Sequence, residues 1–91
     1  MKKDTKYVWV FTADQAYEDE VLDKIIKAFS TEEKAKDYMY DFVHGEDGEY
    51  QFAKKNGWNI DVDDPDYFMA YEEGYYNSNH TEAEVLLLEV A

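Results

Sequence analysis

The 91-residue chain has no cysteine, no arginine and a single proline. Without cysteine there are no disulfides, no structural cysteine–zinc sites and no thiol nucleophile. Long apolar runs are also missing. "YVWVFT" near the start and "VLLLEVA" at the end are too short for a membrane span or a signal-peptide core, and Glu89 interrupts the second. A soluble cytoplasmic protein is expected, as is a single domain over residues 1–91, since two would each have too small a core.

Positive charge is scarce and badly spread. All nine cations are lysines, and the last is Lys55. Up to that point thirteen acids face nine lysines; residues 56–91 hold nine acids and no cation, and the formal total is -13. Average composition would leave 36 residues without Lys or Arg about one time in a hundred. Ordinary solvated faces mix both signs, because unmixed charge repels itself. Direct binding to nucleic-acid backbone or to an anionic membrane is therefore not expected. The chain is still 45% hydrophobic and 18% aromatic, so it can fill a core and does not belong with disordered chains.

"YVWVFT" (Tyr7 to Thr12), β-branched and aromatic on both faces, reads as a central strand. The polar "ADQAYEDE" reads as a loop to a second strand within "VLDKIIKAFS", a segment whose Val21, Leu22, Ile25, Ile26 and Phe29 would also suit a helix face. In "STEEKAKDYMYDFVHG", Ser30 and Glu33 make a capping box, and Ala35, Tyr38, Met39, Phe42 and Val43 form one apolar stripe. Gly45 is expected to close that helix in the left-handed conformation. "EDGEYQFAKKNG" predicts a shorter helix ending at Gly57, with Trp58 packed beneath it. "DPDYFMAYEEG" fits a helix by its Asp64–Pro65 start and a strand by its aromatic content. "EAEVLLLEV" reads as a terminal strand, paired across the "GYYNSNHT" turn. The expected fold is α+β: a small antiparallel sheet with one or two helices on one face, in the order ββααββ.

Catalytic and metal chemistry find little material. An EF-hand count from Asp61 puts Asp63 at position three and Glu72 at twelve, but Pro65 and Asp66 fill positions five and six, where the sharp turn needs glycine. His44 sits at a helix end, where a solvated or dipole-capping role is expected, and His80 lies in a polar turn and reads as exposed. With twenty-two acids some carboxylate pair will match any spacing, so pairing alone implies no glycosidase-like site. "GEDGE" lacks the lysine of a phosphate loop. No cofactor, no metal and no enzymatic activity are expected.

Two local likenesses bear on function. At "IIKAFSTEEKAKDYM" the chain resembles a widespread type of small phage and Firmicute protein, in which a strand ending in phenylalanine runs into a Ser/Thr-capped "S-x-E-x-A" helix. That resemblance implies strands on either side of one or two helices. "KNGWN" (Lys55 to Asn59), followed by an acidic-aromatic run, is similar to a segment of an acidic anti-CRISPR inhibitor of the type II CRISPR nuclease. This second likeness implies acidic side chains in a site meant for DNA, and a location in the host cell of a phage.

The acidic-aromatic run is "DVDDPDYFMAYEEGYY". Asp61, Asp63, Asp64, Asp66, Glu72 and Glu73, with Tyr67, Tyr71, Tyr75 and Tyr76, are the candidate partner-binding residues. Carboxylates pair with a partner's lysines and arginines, and tyrosines add contact area or stack on arginine. If all nine acids after Asn56 shared a face, they would imitate the charge of about 15 Å of duplex DNA. The expected function is a non-catalytic inhibitor that occupies the basic surface of a nucleic-acid-binding protein. The alternative is a general interaction module or homodimer joined through the rings. A plain solubilising surface would scatter the six carboxylates from Asp61 to Glu73; a binding surface is expected to project them from one face.

Overall fold

The computed structural model describes residues 6–22 and 24–90. The basic start at Lys2 and Lys3, and Asp23 within "VLDKIIKAFS", lie outside the described residues. Three strands, β1 (Lys6–Tyr17), β2 (Glu20–Val21) and β3 (Ile25–Phe29), precede two helices, α1 (Glu32–His44) and α2 (Glu49–Asn56). Three more follow: β4 (Asn59–Asp64), β5 (Tyr67–Tyr71) and β6 (His80–Val90). The class is α+β as expected, with one more strand before the helices and one more after them than ββααββ allows.

All strand pairs are antiparallel, in the order β2-β1-β6-β5-β4, with β3 pairing on the same edge of β1 as β2. The long central pair runs from Lys6↔Val90 to Ala16↔His80. Residues Ala13 to Tyr17, expected in a loop, extend β1, and the reversal shrinks to Glu18 and Asp19. Both take positive φ (52° and 68°), as a tight hairpin turn of this hand demands. Neither is the preferred Asn or Gly, and the turn is held from outside. Glu18 N–H donates to Asn79 Oδ1 at 2.8 Å, Asp19 N–H donates to the Ser78 carbonyl, and the Ser78 hydroxyl donates to the Asp19 carboxylate.

Alternation along the strands gives the sheet two different faces. Phe11, Ala13, Phe68, Ala70, Ala83 and Val85 point to the helices and meet Ala35, Met39, Val43, Ala53 and Trp58 in the core. The Phe11 ring is fully buried, edge-on to Tyr38 and Phe42 at about 5 Å. The α1 stripe read from the sequence is the face that packs, and Trp58 lies under α2 against Phe52. Alanines at the helix–sheet contact let the backbones approach closely, leaving the rings to fill the remaining space.

The helix ends depart from expectation in two details. Thr31, not Ser30, caps α1, its hydroxyl accepting from Lys34 N–H at 3.2 Å. Gly45 has φ -72°, so it is not left-handed. Glycine fits there for space, because a Cβ would come 2.3 Å from the Asp41 carbonyl oxygen. Gly57 does take the left-handed cap of α2, at φ 73°.

Candidate functional site

"DPDYFMAYEEG" is a turn and a strand, not a helix: β4 reverses through Pro65 and Asp66 into β5. That fact disperses the six carboxylates. Asp63 pairs with Phe68 and so faces the helices, where its carboxylate meets His44 Nε2 at 2.7 Å. Asp64 pairs with Tyr67 and faces the opposite way. Asp61 stands where the β4–β5 register slips between Ile60 and Val62. Asp66 occupies the turn at one end of β5, while Glu72 and Glu73 follow its other end, beside Asn79 and Asn59. The six therefore do not project from one face, the outcome expected of a solubilising surface, and Glu89, paired with Tyr7 and of the same alternation as Val85, adds a charge on the helix side. The row of nine charges is not built.

A different set is brought together on the face turned away from the helices. Successive cross-strand rows there read Thr12–Glu84–Tyr67–Asp64, then Asp14–Glu82–Met69–Val62, then Ala16–His80–Tyr71–Asn59. Rows are about 7 Å apart and strands about 4.8 Å. Asp14, Asp64, Glu82 and Glu84 thus share one patch with Tyr67 and Tyr71. Tyr76 folds over it from the turn, stacked on His80 at 4.8 Å and 5° and lying 5.8 Å from Tyr71. Its carbonyl oxygen accepts a 2.8 Å bond from His80 Nδ1–H, which sets the tautomer. Tyr75, also expected at the contact, is exposed in that turn. Among the described residues no helix covers this side of the sheet.

The electrostatics of the patch are unfavourable to the fold. Asp14 and Glu82 are direct cross-strand partners. Like charges in that relation are destabilising, by up to about 1 kcal/mol. Each has one compensating contact: Lys24 Nζ stands 3.7 Å from Asp14, and the Tyr67 hydroxyl donates to Glu82. That hydrogen bond to a carboxylate, with lesser contributions from burial and neighbouring charge, pushes the Tyr67 phenol up to about 12. Tyr76 is raised as well, first by burial and then by the Glu82 and Asp14 carboxylates. Both phenols remain protonated donors at neutral pH.

Two concavities lie elsewhere. One, about 350 Å³, opens between α1 and the β4–β5 turn, with Met39, Tyr40, His44, Asp63, Asp64 and Pro65 among its lining residues. His44, in the last turn of α1, is exposed as expected, and it also lies beside the Tyr40 and Tyr50 rings and bonds to Asp63, tying the end of α1 to β4. The other, about 180 Å³, includes Glu49, Phe52, Trp58 and Thr81. Burial raises the Glu49 carboxyl, while the Thr81 hydroxyl, donating at 3.1 Å, lowers it in part. Among the described residues, no three His, Asp or Glu side chains converge to hold a metal ion, and no helix is long and apolar enough to cross a membrane.

Asp14, Glu82 and Glu84 were not among the residues singled out in the sequence. For the two glutamates the signal is the alternation in "HTEAEV", where Thr81, Ala83 and Val85 are buried while His80, Glu82 and Glu84 take the other side. Comparison with protein-family models, curated proteins and solved structures finds no match.

Proposed function

We propose that this protein is a non-catalytic binding protein whose open sheet face receives a lysine- and arginine-bearing surface of a nucleic-acid-binding partner, and so inhibits it. The observation that carries the reading is the cross-strand pair Asp14↔Glu82, with Glu84 and Asp64 beside it and Tyr67, Tyr71 and Tyr76 around it. Opposed carboxylates weaken the isolated fold but become favourable once a partner's cations lie between them. The tyrosines are rigid, amphipathic contact residues, able to stack on guanidinium groups. This is a compact patch of four carboxylates and three rings, so the imitation of nucleic acid is local, a few phosphate-like charges rather than a length of duplex. A phage-encoded inhibitor of a host nuclease, as the "KNGWN" likeness implies, is one member of this class.

The test is affinity capture from bacterial lysate with the wild-type protein and a Glu82→Lys/Glu84→Lys variant, at about 50 and 300 mM salt. Screening shortens to a few ångströms over that range, so a charge-led contact weakens steeply. The reading expects capture of a nucleic-acid-binding protein that high salt, charge reversal and added duplex DNA each release. Capture indifferent to salt and to the reversal would overturn it.

A further inference from the structure

At one end the sheet narrows to two strands. β5 pairs with β6 only from His80 to Glu84, and β3 reaches β1 only from Trp9 to Ala13. Beyond Glu84, β6 continues to Val90 against β1 alone, which contributes to a molecule 55 Å long and 23 by 19 Å across. The backbone of this stretch has a definite polarity. Val85 N–H donates to the Asp66 carbonyl, away from β1. By alternation Leu87 and Glu89 point the same way, while Leu86, Leu88 and Val90 bond to β1. Among the described residues, the N–H and C=O groups of Leu87 and Glu89 therefore face an open edge.

The other edges carry the features that discourage pairing with a second chain. β4 has a register slip at Asp61 and acids along its length, β3 bears Lys27, and β2 is two residues long. The β6 edge has none of these except Glu89. Leu87, Leu88 and Val90 are each nearly half exposed.

We propose that this edge is a dimerisation strand, and that its occupant is the β6 edge of a second copy. Antiparallel strands in one sheet are related by a two-fold axis perpendicular to it. An axis through Leu88 sets Leu87 opposite the second copy's Glu89 and Glu89 opposite its Leu87, and the four free groups of each copy then make four hydrogen bonds with those of the other. The same register leaves the Val85–Asp66 bond intact. On the open face it places Leu88 against its own copy and Leu86 against Val90, an apolar ladder. Charge selects a second copy over an unrelated acidic or basic strand. Residues 6–11 and 85–90 carry one lysine and one glutamate, so this end is neutral although the chain totals -13. Two copies meeting through their open acidic faces would bring like charge together; at these strand ends they do not. The resulting sheet is continuous and presents both acidic-aromatic patches on the same side.

Sedimentation equilibrium of the intact protein over about 1–500 μM tests this, together with circular dichroism on three chains. Wild type is expected to approach twice its 10.8 kDa mass. Leu87→Pro removes an N–H that points outward, so it should give a folded monomer, as edge positions tolerate proline. Leu88→Glu opposes two carboxylates at the axis and should weaken association at least tenfold. A wild type that stays monomeric throughout, or a dimer unaffected by Leu88→Glu, overturns the proposal. Should Leu87→Pro fail to fold, Leu88→Glu decides alone.

Discussion

The two faces of the sheet are made by alternate residues of the same strands, yet they follow opposite rules. Towards the helices, β1, β5 and β6 present Phe11, Ala13, Phe68, Ala70, Ala83 and Val85, close-packed and nearly dry. Away from them, the next residues along present Asp14, Tyr67, Glu82 and Glu84, with like charges facing each other across strands. The first face is what a small domain needs in order to exist. The second lowers stability, and the proposed binding role would account for that cost.

The sharpest way to test that contrast is to damage each face in turn. Phe11→Ala removes a fully buried ring whose neighbours Tyr38 and Phe42 cannot both close the gap. It should cost about 3–5 kcal/mol, much of the roughly 5–15 kcal/mol a domain possesses. A clear drop in the urea midpoint is the readout. On the opposite face the sign should reverse. Asp14→Asn relieves the opposition to Glu82 at the expense of one exposed contact to Lys24, and should stabilise by about 0.2–1 kcal/mol. A loss of stability there would mean the patch is held for the fold after all.

Proton linkage offers finer cuts. Burial favours the neutral form of Glu49 in the folded state, so its contribution is fully present below the unfolded value near 4.5 and declines as pH rises through the raised folded value. Glu49→Gln should accordingly be more stable than wild type at pH 7, with the gap closing as pH falls through the raised folded value towards 4.5. Paired melts at pH 4 and pH 7 measure it. Tyr67 works at the other end. Its folded phenol ionises near 12 against an ordinary 10, so the stability it contributes is whole below pH 10 and disappears as pH climbs towards 12. Tyr67→Phe should remove the latest-ionising phenol from an ultraviolet titration. The smallest effect belongs to the tight turn. Glu18→Asn keeps the bond to Asn79 while easing a positive φ, and should raise the melting point by a degree or two.

The helical layer was largely legible in the sequence. The stripe from Ala35 to Val43 and the stop at Gly57 are local signals, and the structure keeps both. The second half of β1 was hidden for a physical reason: Asp14 on the open face and Gln15 on the other give both faces of that half a polar residue, so "ADQAYEDE" looks like a loop. The contact surface was hidden more deeply. A linear acidic segment suggests a continuous charged face, but alternation sends Asp63 and Asp64 to opposite sides. The patch is assembled instead across four strands, from residues up to 70 positions apart in Asp14 and Glu84. Only pairing register could bring those together.

Amide chemical shifts of the labelled protein, followed while a hexa-arginine peptide is added at low salt, test the central claim most directly. The account predicts that the largest changes fall on Thr12, Asp14, Tyr67, Tyr71, Tyr76, His80, Glu82 and Glu84, and fade as salt is raised. Changes centred on α1 and α2, or spread evenly over every acidic residue of the chain, would contradict it.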